Sequence, residues 1–347
     1  MVENSIGVDR VVSFFQSKNI LVTGGTGSFG HQIIRELVKF QSACIVVFSR
    51  DEKKQYDMQD IFRNHSNLRF TLGDVRDLER VREIMKGIDI VFHAAALKQV
   101  PNTEFAPFEA VKTNIVGAEH IRQAAIENDV RVVVAISTDK AVKPVNVMGM
   151  TKAIQERIML NPRNGIYKTK FVCVRYGNVL GSRGSVVPLF RRKVIEGLPL
   201  PVTHAEMTRF LLTLKQTVQL VFKAILDGES GDLFVRKMPA ARITDLGRML
   251  AYGITGRMNY PQEIVGIRPG EKIHEVLVSE EEMLRAVELD EHYLIRGYAQ
   301  KPEGDPQKQG NLREYTSHNT HQLSDEELLS LLDEEGWLSS TGVVHEY

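Results

Sequence analysis

Charge of one sign is missing from this 347-residue chain, in which 44 Lys+Arg stand against 44 Asp+Glu for a formal net charge of zero. That balance excludes a chain-wide basic field for nucleic acid or an anionic membrane surface. Cysteine is scarce as well: Cys44 and Cys173 are the only two, both in strand-like contexts. Neither a disulfide scaffold nor a Cys-x-x-Cys metal site can be built from them, and a reducing cytoplasmic compartment is the expectation. No run approaches the roughly 18 consecutive apolar residues of a membrane helix. The first residues, MVENSIGVDRVVSFFQSKN, lack the basic start, apolar stretch and small-residue cleavage site of a secretion signal. Internal repeats and low-complexity segments are absent too. With 43% hydrophobic and 25% charged residues the chain is well placed to fold around a core. At roughly 100–200 residues per domain, its length allows two domains.

From Asn19 onward the pattern alternates. The apolar runs ILV, CIVVFS, LRFTL, IDIVFH, VRVVVAIS and KFVCVRYGNV are separated by stretches of helical periodicity, such as FGHQIIRELVKF and the segment around Met148 to Met159. This is the signature of β-α-β units and an α/β fold with a doubly wound parallel sheet. We expect residues 1–180 to form that domain, joined by about 210–255, which hold a helix near Leu214 to Leu226 and a last strand near Leu233. Residues 181–209 and 256–347 would form a smaller C-terminal domain and tail, whose Ser324-Asp325-Glu326-Glu327 is a capping box opening a final helix.

The strongest local signal is Thr23-Gly24-Gly25-Thr26-Gly27-Ser28-Phe29-Gly30, between a strand and a helix. Gly24 suits the tight turn, Gly27 the approach of a pyrophosphate and Gly30 close helix-strand packing, with the helix N-terminus drawing the anion. A dinucleotide is therefore expected. At the end of the second strand, where an acidic residue would hold the ribose of NAD, the chain reads Ser49-Arg50-Asp51-Glu52-Lys53-Lys54. Arg50 and Lys54 match a 2′-phosphate, so NADP is preferred; the alternative is that Asp51 reads the hydroxyl of NAD. Asp74, before Val75, either accepts from an adenine amino group or caps a helix. Ala94, Ala95 and Ala96 are small enough to let the backbone run beside a cofactor, and His93 before them is expected to be a packed core histidine.

After the fifth strand come Thr138, Asp139 and Lys140, where strand C-termini form the ligand crevice of such sheets. Met148 and Lys152 follow, four apart on one helix face. Together with FSRDEKKQ, GDVRD, HAAALKQVP, EAVKTNIVGAEH, STDKAVKPVNVMGMTK, RYGNVLGSRGSVVPLF, MTRF and RPGEK, these motifs resemble the extended short-chain dehydrogenase/reductase superfamily. More narrowly they resemble its bacterial 4,6-dehydratases acting on UDP-N-acetylglucosamine, in the soluble capsule-type branch. The resemblance implies a Rossmann-type domain, a substrate-binding C-terminal domain, a tightly held and recycled NADP, a UDP-sugar substrate and a dimeric or hexameric assembly.

It further implies that Asp139 protonates the departing 6-hydroxyl, that Lys140 is the base at C5 and that Thr138 hydrogen-bonds the 4-oxygen. Such a division needs a protonated acid and a partly neutral lysine. Lys152 would donate to the nicotinamide ribose. Tyr176, Asn178 and Val179 would lie between nicotinamide and sugar, and Lys98 and Asn114 would approach or shape the sugar site. Arg183, Arg209 and Arg268 would face the diphosphate or its ribose, and Glu271 the uridine ribose. One position departs from the superfamily's Tyr-x-x-x-Lys: the tyrosine is Met148, whose thioether can exchange no proton with a 4-hydroxyl. An epimerase or reductase needs that tyrosine, whereas a non-catalytic dinucleotide sensor would have no need of Asp139, Lys140 and Lys152.

Overall fold

A computed structural model describes residues 7–297 and 313–339. Nine strands form one sheet, labelled here β1 (Asn19–Thr23), β2 (Cys44–Ser49), β3 (Leu68–Leu72), β4 (Ile90–His93), β5 (Val132–Ile136), β6 (Lys170–Arg175), β7 (Leu233–Arg236), β8 (Ala286–Glu288) and β9 (His292–Ile295). Their spatial order is β8-β9-β7-β6-β5-β4-β1-β2-β3. The pairs from β3 through β7 are parallel, while β8-β9 and β9-β7 are antiparallel. This is the doubly wound arrangement expected above. The sheet also takes in β8 and β9, from the stretch assigned by sequence to the smaller domain.

Helices on both faces explain the apolar runs. β5 is buried at all five positions, as a parallel strand covered on two sides must be, whereas the edge strand β3 has only partly buried and exposed residues. His93 is fully buried, its Nδ1 2.9 Å from Thr23 Oγ1, so it packs as expected. A second core of Val187, Phe190, Leu200, Leu246, Leu250 and Trp337 lies among the helices Val186–Ile195 and Ile243–Thr255 and the tail helix Asp325–Glu334. Ser324 caps that tail helix with the expected box. Among the described residues no helix is long and apolar enough to cross a membrane.

The chain leaves β1 toward β2 on one side and returns to β4 on the other, so the carboxyl ends of β1 and β4 flank the switch point where ligands bind in such sheets. Two glycines are required there. Gly24 has φ +65°, and a Cβ on it would stand 2.8 Å from the backbone of Ala95; a Cβ on Gly30 would stand 2.2 Å from the carbonyl of Gly25. Both approaches are between backbones and cannot be relieved by a rotamer change.

Candidate active site

β5 ends at Ile136, and Thr138 opens a single 3₁₀ turn over Asp139–Ala141, its hydroxyl accepting from the Lys140 backbone N–H at 3.4 Å. The Asp139 N–H donates to the carbonyl of Tyr176 (3.1 Å), which ties the turn to the end of β6. Asp139 is 0% exposed. Its Oδ1 accepts from Thr138 Oγ1 at 2.8 Å and from Lys140 Nζ at 3.0 Å. Lys140 is thus no solvated turn lysine.

Sequence reasoning passed over the next member of the cluster. Glu275, 2% exposed, brings Oε1 to 3.5 Å from Lys140 Nζ and 3.7 Å from Arg209 Nε. Arg209 itself donates through Nη1 to the carbonyls of Thr208 (2.7 Å) and Ile273 (3.2 Å), so its guanidinium stands in this charge cluster. Two carboxylates and two cations balance. Asp139 Oδ2 and Glu275 Oε2 are buried without a hydrogen-bond partner among the described residues, which marks a site built for a further polar group. The one available signal was that Glu275 closes the run that begins at Arg268-Pro269-Gly270-Glu271-Lys272.

The cluster also sets the charge of Lys140. Burial disfavours the charged form of Lys140, but the fields of Asp139 and Glu275 outweigh it and hold its pKa above the usual lysine value. Without a ligand Lys140 is an ammonium and not the partly neutral amine that base chemistry asks for.

Lys152 behaves oppositely. It is 6% exposed, donates to the carbonyl of Ile136 (2.5 Å) and to Gln155 Oε1 (2.7 Å), and has no carboxylate within ion-pair distance among the described residues. Burial brings its pKa down to about 8. Below pH 8 folded and unfolded chains both carry this charge and its burial cost is present in full. Between pH 8 and the unfolded value of roughly 10.4 the unfolded chain binds more protons, so stability rises with pH. Over that interval the unfolding free energy of the wild type should gain about 3 kcal/mol on that of Lys152→Met in urea titrations; a gap that stays constant or widens the other way refutes the buried ammonium.

Met148 faces the same way, 4% exposed and one turn before Lys152. Asn114, fully buried in a π-helical turn, exchanges hydrogen bonds with the backbone of Leu97 (2.8 and 3.0 Å) and donates to Thr151 (2.9 Å). Its amide holds the loop after β4 against the Met148 helix and so shapes the site. Lys98, on that loop, is exposed. Tyr176 is buried, which raises its phenol well above the usual value. Asn178 and Val179 pair with Leu211 and Leu212, and Asn178 Oδ1 is a further buried acceptor without a described partner.

Around the glycine loop, Gly27 precedes the helix Ser28–Leu37, Thr26 and Ser28 are buried, and the exposed Arg183 sits with its N–H 3.5 Å from Ser28 Oγ. Asp51 caps the helix Glu52–Ile61 and pairs with Lys54 at 2.9 Å; hydrogen bonds from Lys54 lower its pKa. Arg50 reaches Asp74 at 3.4 Å, and Asp74 also accepts from Arg76 at 2.7 Å. Asp77, not Asp74, caps the following helix. Val75 is buried beneath Gly117, while Ala94, Ala95 and Ala96 are partly exposed after β4. Arg268 and Glu271 lie 3.9 Å apart on a loop that Asn146 fastens through the Gly270 carbonyl at 2.7 Å. The Ser49 carbonyl accepts from Gln55 at 3.2 Å.

The model of a family described as polysaccharide biosynthesis protein matches residues 20–297. A protein of Rickettsia canadensis named UDP-glucose 4-epimerase is 44% identical over 332 residues, covering 92% of this chain and 96% of its own. Among solved structures, Pen from Bacillus thuringiensis superposes with TM-score 0.87 at 37% identity, over 94% of this chain and all of its own. A dTDP-glucose 4,6-dehydratase from Streptomyces venezuelae, solved with NAD bound, shares the fold at TM-score 0.66 and 19% identity, over 74% of this chain and 86% of its own.

Proposed function

Since the chain belongs to the polysaccharide biosynthesis protein family, whose kin are nucleotide-sugar dehydratases and epimerases, we propose that it is a UDP-N-acetylglucosamine 4,6-dehydratase. The observation that carries this reading is the buried Asp139-Lys140 pair at 3.0 Å, an acid and a base sharing one proton beside the dinucleotide crevice. Loss of water across C5 and C6 needs such a pair; inversion at C4 alone does not. The choice of N-acetylglucosamine rests on the motif resemblance.

The glycine turn and the exposed alanines fit a dinucleotide, because a Cβ at Gly24 would already collide with the wall opposite. A bound nicotinamide dinucleotide supplies a hydride acceptor for C4 and a donor for C6. Arg50, with 48% of its side chain exposed and held by an ion pair to Asp74 at 3.4 Å, supports NADP; the Streptomyces neighbour was solved with NAD. Thr138 orients the 4-oxygen. Lys140, once its proton has moved to Asp139, takes the C5 proton, and Asp139 delivers its own to the leaving 6-hydroxyl. Lys152 orients the nicotinamide ribose, and Arg268 and Glu271 face the uridine diphosphate.

The rickettsial relatives favour a second reading, a UDP-sugar 4-epimerase. It lacks its proton-transfer tyrosine, since Met148 stands in that place. Incubation with UDP-N-acetylglucosamine in D₂O, followed by proton NMR and mass spectrometry, separates the two. The dehydratase yields a product lighter by one water with a new C6 methyl, whose C5 coupling reports retention or inversion. A product of unchanged mass, inverted at C4, would make this an epimerase.

A further inference from the structure

Met148 leaves a gap in the proton accounting of the proposed dehydration. Oxidation at C4 releases the 4-hydroxyl proton, and elimination releases the C5 proton. Among the described residues Lys140 is the sole base in contact with Asp139, and it cannot hold both at once. We propose that Glu275 is a proton-holding, positioning residue that clears Lys140 between these two steps; this rests on the dehydratase reading above.

The geometry is specific. Glu275 Oε1 stands 3.5 Å from Lys140 Nζ, which also holds its 3.0 Å contact with Asp139. Its second oxygen is buried with no hydrogen-bond partner among the described residues, so a proton can settle there without breaking a bond. The backbone on either side is pinned. The Glu275 N–H donates to Ser317 Oγ (2.9 Å), the Ser317 N–H donates to the Glu275 carbonyl (2.8 Å), and Ser317 Oγ lies 2.7 Å from Thr208 Oγ1. The tail segment thus straps this carboxylate into place. The charged groups facing it are Lys140 and Asp139 from the turn after β5, and Arg209 from the strand Thr208–Leu212. Lys272, on its own loop, donates to the Val142 carbonyl at 2.6 Å and feels Glu275, Asp139 and Lys140. Arg209 steadies the carboxylate before it takes a proton and, once it has, is left as the neighbouring cation.

The cycle balances. Transfer from Lys140 to Asp139 gives the neutral acid and the free amine. With a nicotinamide dinucleotide bound to accept the C4 hydride, the O4–H bond would break onto Lys140 Nζ, and that proton would pass to Glu275. Lys140 then breaks the C5–H bond while Asp139 protonates the leaving 6-hydroxyl, releasing water. The hydride returns to C6, Lys140 protonates C5, and Glu275 hands its proton back through Lys140. The O4 proton has been exchanged for the one lost with water, and every group is restored.

Glu275→Gln keeps the shape and removes the proton site. In the full chain with its own cofactor and UDP-N-acetylglucosamine as substrate, kcat should fall about 100-fold, on the order of one lost acid-base partner, with KM within about threefold. Lys140 must then discharge to solvent, so kcat of the variant should climb with pH between 7 and 9 where the wild type is flat. Glu275→Asp should recover most of the loss. Wild-type kcat and pH profile in Glu275→Gln would overturn the assignment. So would an equal loss at every pH that Glu275→Asp fails to rescue, since that is the mark of a structural role. Should Glu275→Gln not fold, Glu275→Asp decides: kcat within about tenfold of the wild type with the same flat pH profile supports the assignment, and a larger loss of equal size at every pH overturns it. Failure of the dehydratase reading appears separately, as absence of water loss in the wild type; the Lys140-Glu275 link is then read without substrate, from a lower Lys140 titration in Glu275→Gln by NMR of labelled lysine, and an unshifted titration overturns it.

Discussion

Asp139→Asn should stop water loss while leaving proton removal at C5 intact. The substitution preserves volume at a position with no exposed surface, and the amide still accepts from Thr138 and Lys140, so the turn keeps its shape. What it loses is the proton for the 6-hydroxyl. A positioned general acid contributes about 10²- to 10⁴-fold, and kcat should drop by that amount with little change in KM. Lys140 loses one of the two anions that hold it charged, so its free amine becomes easier to form. In D₂O the unreacted UDP-sugar recovered from Asp139→Asn should therefore carry deuterium at C5. Water loss at the wild-type rate would place the acid elsewhere, and absence of both water loss and C5 exchange would make Asp139 the base as well.

The parts of this site that were legible in the sequence are local ones. An apolar run followed by a glycine turn and an amphipathic stretch declares a strand, a loop and a helix within a dozen residues, and in a parallel sheet the strand's end also declares the crevice. Gly24, Thr138, Asp139, Lys140 and Lys152 could all be placed in this way. Glu275 could not, because its contact with Lys140 is made by the fold and leaves no periodic trace. The charge of Lys140 was hidden for the same reason: one neighbouring carboxylate could be seen and the second could not, although both favour the ammonium. Arg209 was assigned by the resemblance to the diphosphate or its ribose; the backbone carbonyls of Thr208 and Ile273 claim part of its fork. β8 and β9 were missed as sheet strands because they join antiparallel at the edge, outside the alternation that announced the rest.

Arg175→Met should be the most damaging single change to stability in the scaffold behind the site. Arg175 ends β6, 2% exposed, and grips Glu156 through Nε (3.0 Å) and Nη2 (2.6 Å) and Glu282 through Nη2 (2.8 Å) and Nη1 (2.9 Å), with the Leu277 carbonyl at 2.8 Å. The fields of both carboxylates outweigh its own burial and raise its pKa, and it in turn lowers that of Glu282. Removing the cation leaves two carboxylates buried against each other, a loss of about 3–5 kcal/mol by analogy with broken buried pairs. The sign with pH follows from the charge left behind. In the variant both acids are harder to ionise when folded, so its stability deficit should shrink as pH falls toward 5 and widen again toward 8. Adding Glu156→Gln and Glu282→Gln should recover most of the deficit at neutral pH, because a neutral polar trio carries no uncompensated charge. Urea titrations at pH 5 and 8 read both effects. A deficit below about 1 kcal/mol, the size of a surface ion pair, would mean that water reaches the triad. The consequence for the site is direct: Glu156 lies one turn beyond Lys152, and Tyr176, next to Arg175, accepts the Asp139 N–H. Loosening this triad should therefore lower activity at temperatures well below those at which the chain unfolds.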